Sequence, residues 1–111
     1  MKNCIFCKIA KGEIKADIVA RKDGFIAVSD IAPRAKVHII AFPVRHIADS
    51  IHDKTADRIV AGILIFLREI AQSKKLHENG YRIVTNHGTD SGQTVKHIHF
   101  HLLGGEPLKD L

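Results

Sequence analysis

Apolar residues recur along the chain at two different periods, and the change of period divides it into elements. Cys4, Phe6, Cys7 and Ile9 fall on one side of a short helix, with Asn3 suited to its cap and Gly12 to the position just past its end. Residues 18–21 and 25–28 are β-prone stretches around Lys22-Asp23-Gly24, and Asp-Gly between two such runs predicts a hairpin. A loop over 29–34 follows, before residues 38–42 resume as a strand that Pro43 stops. From Asp53 the period becomes helical, with Ala56, Ile59, Val60, Ile63, Leu64, Leu67, Ile70 and Ala71 recurring every three or four residues. Asp53 suits the N-cap of this long helix, Lys74 and Lys75 its negative end, and Gly80 the connection beyond. The stripe is wider than one sheet-facing side needs, so Val60, Leu64 and Phe66 are expected to be left for a partner subunit, which predicts a homodimer. Residues 81–85 and 95–103 then read as strands joined by a polar loop over 86–94. The order implies one α+β domain over 1–111: a five-stranded, largely antiparallel sheet, one long helix and a short N-terminal helix.

Composition narrows the function more than the fold. A chain of 111 residues, 45% hydrophobic, can bury one core but not two. The net charge is 17 − 12 = +5, and the cationic residues are scattered, which gives a general attraction for anions without naming one. The longest apolar run, 59–67, falls well short of the roughly 18 to 20 residues that cross a bilayer. Met1-Lys2-Asn3-Cys4 lacks the apolar core of a secretory signal, so a cytoplasmic location is expected. With no tryptophan and one tyrosine, the chain is poorly equipped to stack on bases, and no specific nucleic-acid partner is expected. The excess is in histidine, of which there are eight.

Three of the eight alternate with large apolar residues in His97-Ile98-His99-Phe100-His101-Leu102-Leu103. On a strand this places the imidazoles on one face and Ile98, Phe100 and Leu102 in the core. Neighbouring histidines would be rooted about 6 to 7 Å apart and the outer two about 13 Å apart, too far for one metal to hold all three easily. A row of imidazoles with separate tasks, laid beside an extended anion such as a phosphate chain, fits better. Chance alone produces such a string in about 4% of chains with this histidine content, so the pattern by itself is only suggestive. Just upstream, Gly92-Gln93-Thr94 offers flexible N–H groups and a hydroxyl for an anion-binding concavity. The competing reading is a surface strand carrying exposed polar histidines.

These residues together resemble the histidine triad (HIT) superfamily. The likeness covers nearly the whole chain, through Cys4-Ile5-Phe6-Cys7-Lys8-Ile9, Asp30-Ile31-Ala32-Pro33, His38, Pro43-Val44-Arg45-His46-Ile47, Asn86, Gly92-Gln93-Thr94, the triad string and Gly104-Gly105, all in family order. Length and double glycine are similar to the Hint branch, the histidine triad nucleotide-binding proteins, whose members are homodimeric purine nucleoside phosphoramidases. The resemblance implies a HIT-like fold and a substrate of the AMP- or GMP-conjugate type. It implies that His99 attacks the α-phosphorus to give a nucleotidyl-histidine that water hydrolyses, a task imidazole suits because it is partly neutral near pH 7. It further implies that a backbone carbonyl within the motif holds the other nitrogen of His99. By the same resemblance His101 contacts phosphate, Thr94 contacts phosphate and assists the leaving group, and Gln93 cradles the phosphate with the Thr94 and Val95 amides, Asn86 adding a polar contact. Asp30 is implied to bind the ribose hydroxyls, Ile31, Phe6 and Ile9 to flank the base, and His38 to support the triad. Read by themselves, Asp30 is an ordinary turn residue before a proline and His38 a satisfied strand histidine. Dinucleoside polyphosphate hydrolysis and a low-turnover purine nucleotide-binding or regulatory module are the alternative functions.

Cys4 and Cys7 form a C-x-x-C pair with three readings: a redox couple, two small buried residues, or metal ligands. A redox couple would want a thioredoxin-like βαβ setting, which the predicted order lacks. The resemblance implies the third, a structural zinc held by Cys4, Cys7, His46 and His97 and not required for the chemistry. His52, His77 and His87 have no assigned role and are expected at the surface.

Overall fold

In the computed structural model, which describes residues 3–49 and 53–110, a five-stranded sheet carries one helix on each face. The elements are α1 (Ile5–Ala10), β1 (Ile18–Lys22), β2 (Phe25–Ser29), β3 (Val37–Pro43), α2 (Ala56–Ser73), β4 (Tyr81–Val84) and β5 (Phe100–Gly104). Strand order is β1-β2-β3-β5-β4 and every pairing is antiparallel. The first hairpin closes as its turn residues dictate: Asp23 and Gly24 both have positive φ, 53° and 84°, and Lys22 pairs with Phe25 across a two-residue loop.

Alternation along the strands divides the core into two clusters, one on each face of the sheet. Ala27, Ile39, Ala41, Phe100 and Leu102 pack with Ile63, Leu67 and Ile70 of α2. On the opposite face Ile26, Val28 and Phe42 pack with Phe6 and Ile9 of α1. Among the described residues no helix is long and apolar enough to cross a membrane.

The largest departure from the expected elements lies in the triad. A strand over 95–103 was expected, yet β5 begins only at Phe100. Ala41 faces Phe100, so continuing that register would bring residue 98 to Pro43, which has no N–H to donate. The ladder stops there. Ile98 instead donates its N–H to the Ile47 carbonyl at 2.7 Å, and His97 donates to Val95 at 3.0 Å. The alternation of faces survives without the ladder: Ile98 joins the α2 core, whereas His97 and His99 lie against Phe6 beneath α1.

Helix ends differ too. Cys4, not Asn3, occupies the N-cap of α1 and makes no side-chain cap bond, which leaves its sulfur for other partners. Asp53 does not cap α2, whose N-cap is Thr55; its carboxylate accepts from the Thr55 N–H at 2.9 Å and hydroxyl at 2.6 Å, organising the preceding turn. Pro43 ends β3 from within, β1 and β2 each run one residue further than expected, and β4 stops one residue short. Phe66, expected to face a partner subunit, is 4% exposed in the α2 core, its ring 5.9 Å from that of Phe25. Val60 packs partly against the same core, and the exposed apolar surface of α2 is Leu64 and Ile65, at 40% and 50%.

At Gly62, α2 lies close against the Phe25 ring of β2. A Cβ built there would lie 2.6 Å from Phe25 Cζ and 2.8 Å from Cε2. Gly62→Val is therefore expected to destabilise the protein by about 1–3 kcal/mol despite valine's better helix propensity, read from urea unfolding midpoints. Unchanged or raised stability would show that the Phe25 ring yields freely.

Candidate active site

Each triad imidazole has one nitrogen committed within the fold, and the commitments assign the tautomers. His99 lies within 2.7 Å of the His97 carbonyl through Nδ1; a carbonyl only accepts, so Nδ1 carries the proton and Nε2 keeps a free lone pair. His97 approaches the Pro43 carbonyl through Nε2 at 2.8 Å, which leaves Nδ1 as its lone-pair nitrogen. Burial pushes the His97 pKa down to about 4, with His46 and His99 adding to the effect and the bond to Pro43 opposing it.

His101 is fixed at one remove. The Arg34 N–H donates to His38 Nδ1 at 3.1 Å, so His38 carries its proton on Nε2. That N–H lies 2.9 Å from His101 Nδ1 and 3.3 Å from the Asp30 carboxylate. His101 Nδ1 is thus the acceptor, and its Nε2–H remains as a donor on a ring that lines a cleft. Burial lowers the pKa of His38 and takes that of His101 to about 4, so both are neutral at neutral pH. The donor atoms of Asp30, His38 and His101 lie close enough to suggest a metal site. The Arg34 N–H argues otherwise: binding a cation through His38 Nε2 would drive the proton onto Nδ1, against another donor. This cluster reads as a hydrogen-bond relay.

The cleft has a volume of about 710 Å³ and brings together Phe6, Asp30, His38, Asn86, Gln93, Thr94, Val95, His99 and His101, all singled out in the sequence. Ile9 and Ile31 do not line it. Ile9 turns into the core beneath α1, and Ile31 stands 97% exposed at the tip of the loop after β2. Gln93 lines the cleft but spends its side chain on the loop, accepting from the Gly88 N–H at 2.7 Å and donating to the Val95 carbonyl at 3.0 Å. The Thr94 and Val95 N–H groups have no partner among the described residues. Arg34 and Ser91 line the cleft without having been singled out, and Thr85, also missed, donates its hydroxyl to the His99 carbonyl at 2.9 Å. An arginine or hydroxyl in a loop gives no periodic signal; only packing reveals its role. His77 and His87 lie at the surface and outside the cleft, and His52 falls outside the described residues.

A second cluster forms where α1 meets the exit of β3 and the approach to β5. Cys4 Sγ lies 3.2 Å from His97 Nδ1, Cys7 Sγ 3.7 Å from the same atom and 3.3 Å from His46 Nδ1. All four donor atoms fall within 4.8 Å of one another. Zinc bonded at about 2.3 Å to sulfur and 2.0 Å to nitrogen would space tetrahedral donors by about 3.5 Å, close to what is seen. The residues fit a metal ion in a further respect, because the Pro43 carbonyl holds the His97 tautomer whose lone pair meets the sulfurs. Burial, reinforced by Cys4, pushes the Cys7 thiol up, and a cation is what would favour its thiolate.

The HIT domain family profile matches residues 11–108. The chain belongs to the HIT domain family. Among HIT relatives it is 43% identical over 108 residues to an uncharacterised HIT-like protein of Synechococcus elongatus, covering 96% of this chain and 94% of that one. It is 38% identical over 106 residues to the purine nucleoside phosphoramidase of Escherichia coli K12, covering 94% and 88%. Its fold matches the crystal structure of a HIT family hydrolase from Legionella pneumophila with a TM-score of 0.90 at 42% identity, over 96% of each chain. A zinc-bound HIT family protein from Mycobacterium smegmatis matches with a TM-score of 0.83 at 30% identity, over 97% of this chain and 81% of that one.

The His101 pKa of about 4 against an ordinary 6.5 has a definite sign. Between those values the unfolded chain binds more protons than the native one, so stability is fully present above pH 6.5 and is lost as the pH falls toward 4. The melting temperature of metal-free protein should decline steadily from pH 7 to 4.5, and less steeply in His101→Asn. A flat profile would contradict the buried neutral imidazole.

Proposed function

We propose that this HIT-family protein is a hydrolase of purine nucleoside 5′-phosphoramidates. The observation that carries the reading is the free lone pair on His99 Nε2, facing a cleft of nucleotide size while Nδ1–H is held by the His97 carbonyl. His99 Nε2 attacks the α-phosphorus, a nitrogen–phosphorus bond forms to the imidazole, and the bond from phosphorus to the amine breaks as the amine takes up a proton from solvent water, which the hydrolysis step returns. Water then attacks the nucleotidyl-imidazole, releasing the nucleoside monophosphate and the free histidine. The His101 Nε2–H and the Thr94 and Val95 N–H groups stabilise charge on the phosphoryl oxygens. The Thr94 hydroxyl stands by the leaving group, Asn86 adds a polar contact, and Gln93 holds the loop that carries both amides. Asp30 accepts from the ribose hydroxyls, and Phe6 flanks the base.

Cys4, Cys7, His46 and His97 would hold a structural zinc that pins α1 to the sheet and supplies no chemistry to the reaction. The mixed thiol and imidazole donors support it, as does the zinc-bound relative. Free buried thiols suit a reducing cytoplasm. Exposed Leu64 and Ile65 on α2, with the unpaired edge of β4, support a homodimer. Arg34, a cation lining the cleft with no ion-pair partner among the described residues, favours dinucleoside polyphosphates as the second reading.

Turnover of adenosine and guanosine phosphoramidates, set beside diadenosine polyphosphates, tests the assignment. The phosphoramidates should be preferred in kcat/KM by on the order of 10-fold or more, and His99→Ala should lower kcat on the order of 10³-fold. Preference for the polyphosphates would move the reading to its rival, and equal turnover by His99→Ala would end it.

A further inference from the structure

One residue belongs to both clusters. The His97 ring contributes Nδ1 to the cysteine–histidine set, while its backbone carbonyl receives the Nδ1–H of His99. We infer that a metal held by Cys4, Cys7, His46 and His97 keeps the His99 imidazole in its attacking tautomer, with His97 as the positioning residue. This rests on the reading of His99 as nucleophile.

The argument lies in what holds the His97 carbonyl in place. Residues 95–99 have no sheet ladder, because β5 begins at Phe100. Their backbone is tied by the Ile98 N–H to Ile47, the His97 N–H to Val95 and the Thr85 hydroxyl to the His99 carbonyl. The Ile98 N–H lies in the same peptide plane as the His97 carbonyl, so its bond to Ile47 sets the direction of the oxygen that His99 needs. The His97 ring, fully buried at 0% exposure, is the second anchor of that residue. One of its nitrogens is bonded to Pro43 and the other faces two sulfurs. The same set draws in His46, next to the Ile47 whose carbonyl holds Ile98. A metal would therefore cross-link α1, the exit of β3 and the entry to β5 around that peptide. Without it, the thiols and imidazoles are left with weak sulfur hydrogen bonds, and the peptide is held only through Ile47, whose neighbour His46 has lost its anchor, and through the ring's bond to Pro43. His99 then has a less firmly placed partner for Nδ1–H, and part of its population carries the proton on Nε2.

The test is nitrogen-15 imidazole spectroscopy without substrate, on zinc-loaded protein, chelator-stripped protein, Cys7→Ser and His46→Asn, with circular dichroism as the fold check. Loaded protein should show His99 as the Nδ1–H tautomer alone; the stripped protein and both variants should show a mixture. Steady-state kinetics on a phosphoramidate should follow, with kcat falling on the order of 10- to 100-fold and KM and AMP affinity moving less than about threefold. Zinc should restore the stripped wild type and neither variant. An unchanged His99 tautomer after stripping overturns the inference. So does joint loss of tautomer, AMP affinity and fold, since the metal would then support the domain rather than the nucleophile. If loaded wild type turns over no phosphoramidate, the proposed activity fails, and the tautomer measurement still decides this point.

Discussion

The carbonyl of His97 accepts the Nδ1 proton of His99 at 2.7 Å, and the use of the triad depends on this contact. Three imidazoles in a row would be interchangeable if each were free to choose its tautomer. Here each has one nitrogen taken: His97 Nε2 by Pro43, His99 Nδ1 by His97, and His101 Nδ1 by His38. What remains is a lone pair facing sulfurs, a lone pair facing the cleft and an N–H on the cleft wall. Three copies of one side chain thereby become a metal ligand, a nucleophile and a hydrogen-bond donor.

Burial makes the assignments of His97 and His101 hold at neutral pH. His97 and His101 are pushed down to about 4 because a charged imidazole is poorly solvated where these rings are buried. The interruption of the β3–β5 ladder at Pro43 belongs to the same design. A continuous strand would have engaged the backbone of residues 97–99 with neighbouring strands, whereas the irregular segment leaves the His97 carbonyl for a side chain. Regular pairing resumes at Phe100, where the core needs it.

Features set by neighbouring residues were legible in the sequence. The Asp23-Gly24 hairpin, the period of α2 and the alternation of imidazole and apolar side chains all came through in the fold. Features set by distant partners were not. The start of β5 depends on a proline in another strand, and the burial of Phe66 on the close approach of Phe25 to Gly62. Much of the cleft was visible because the resemblance named its residues. Arg34 and Thr85 were missed because one acts on the triad through a backbone N–H and the other through a bond to a backbone carbonyl. Ile9 shows the reverse, a motif residue that packing turned away from the cleft.

The central claim is that His99 attacks through Nε2 because Nδ1 is held. Rapid quenching of a single turnover with an adenosine phosphoramidate, followed by intact-mass and fragment analysis, tests it most directly. The account predicts a transient adduct of one nucleotidyl group on His99, linked through Nε2 and formed before nucleoside monophosphate appears. Product release with no adduct, or an adduct on His97 or His101, would contradict it.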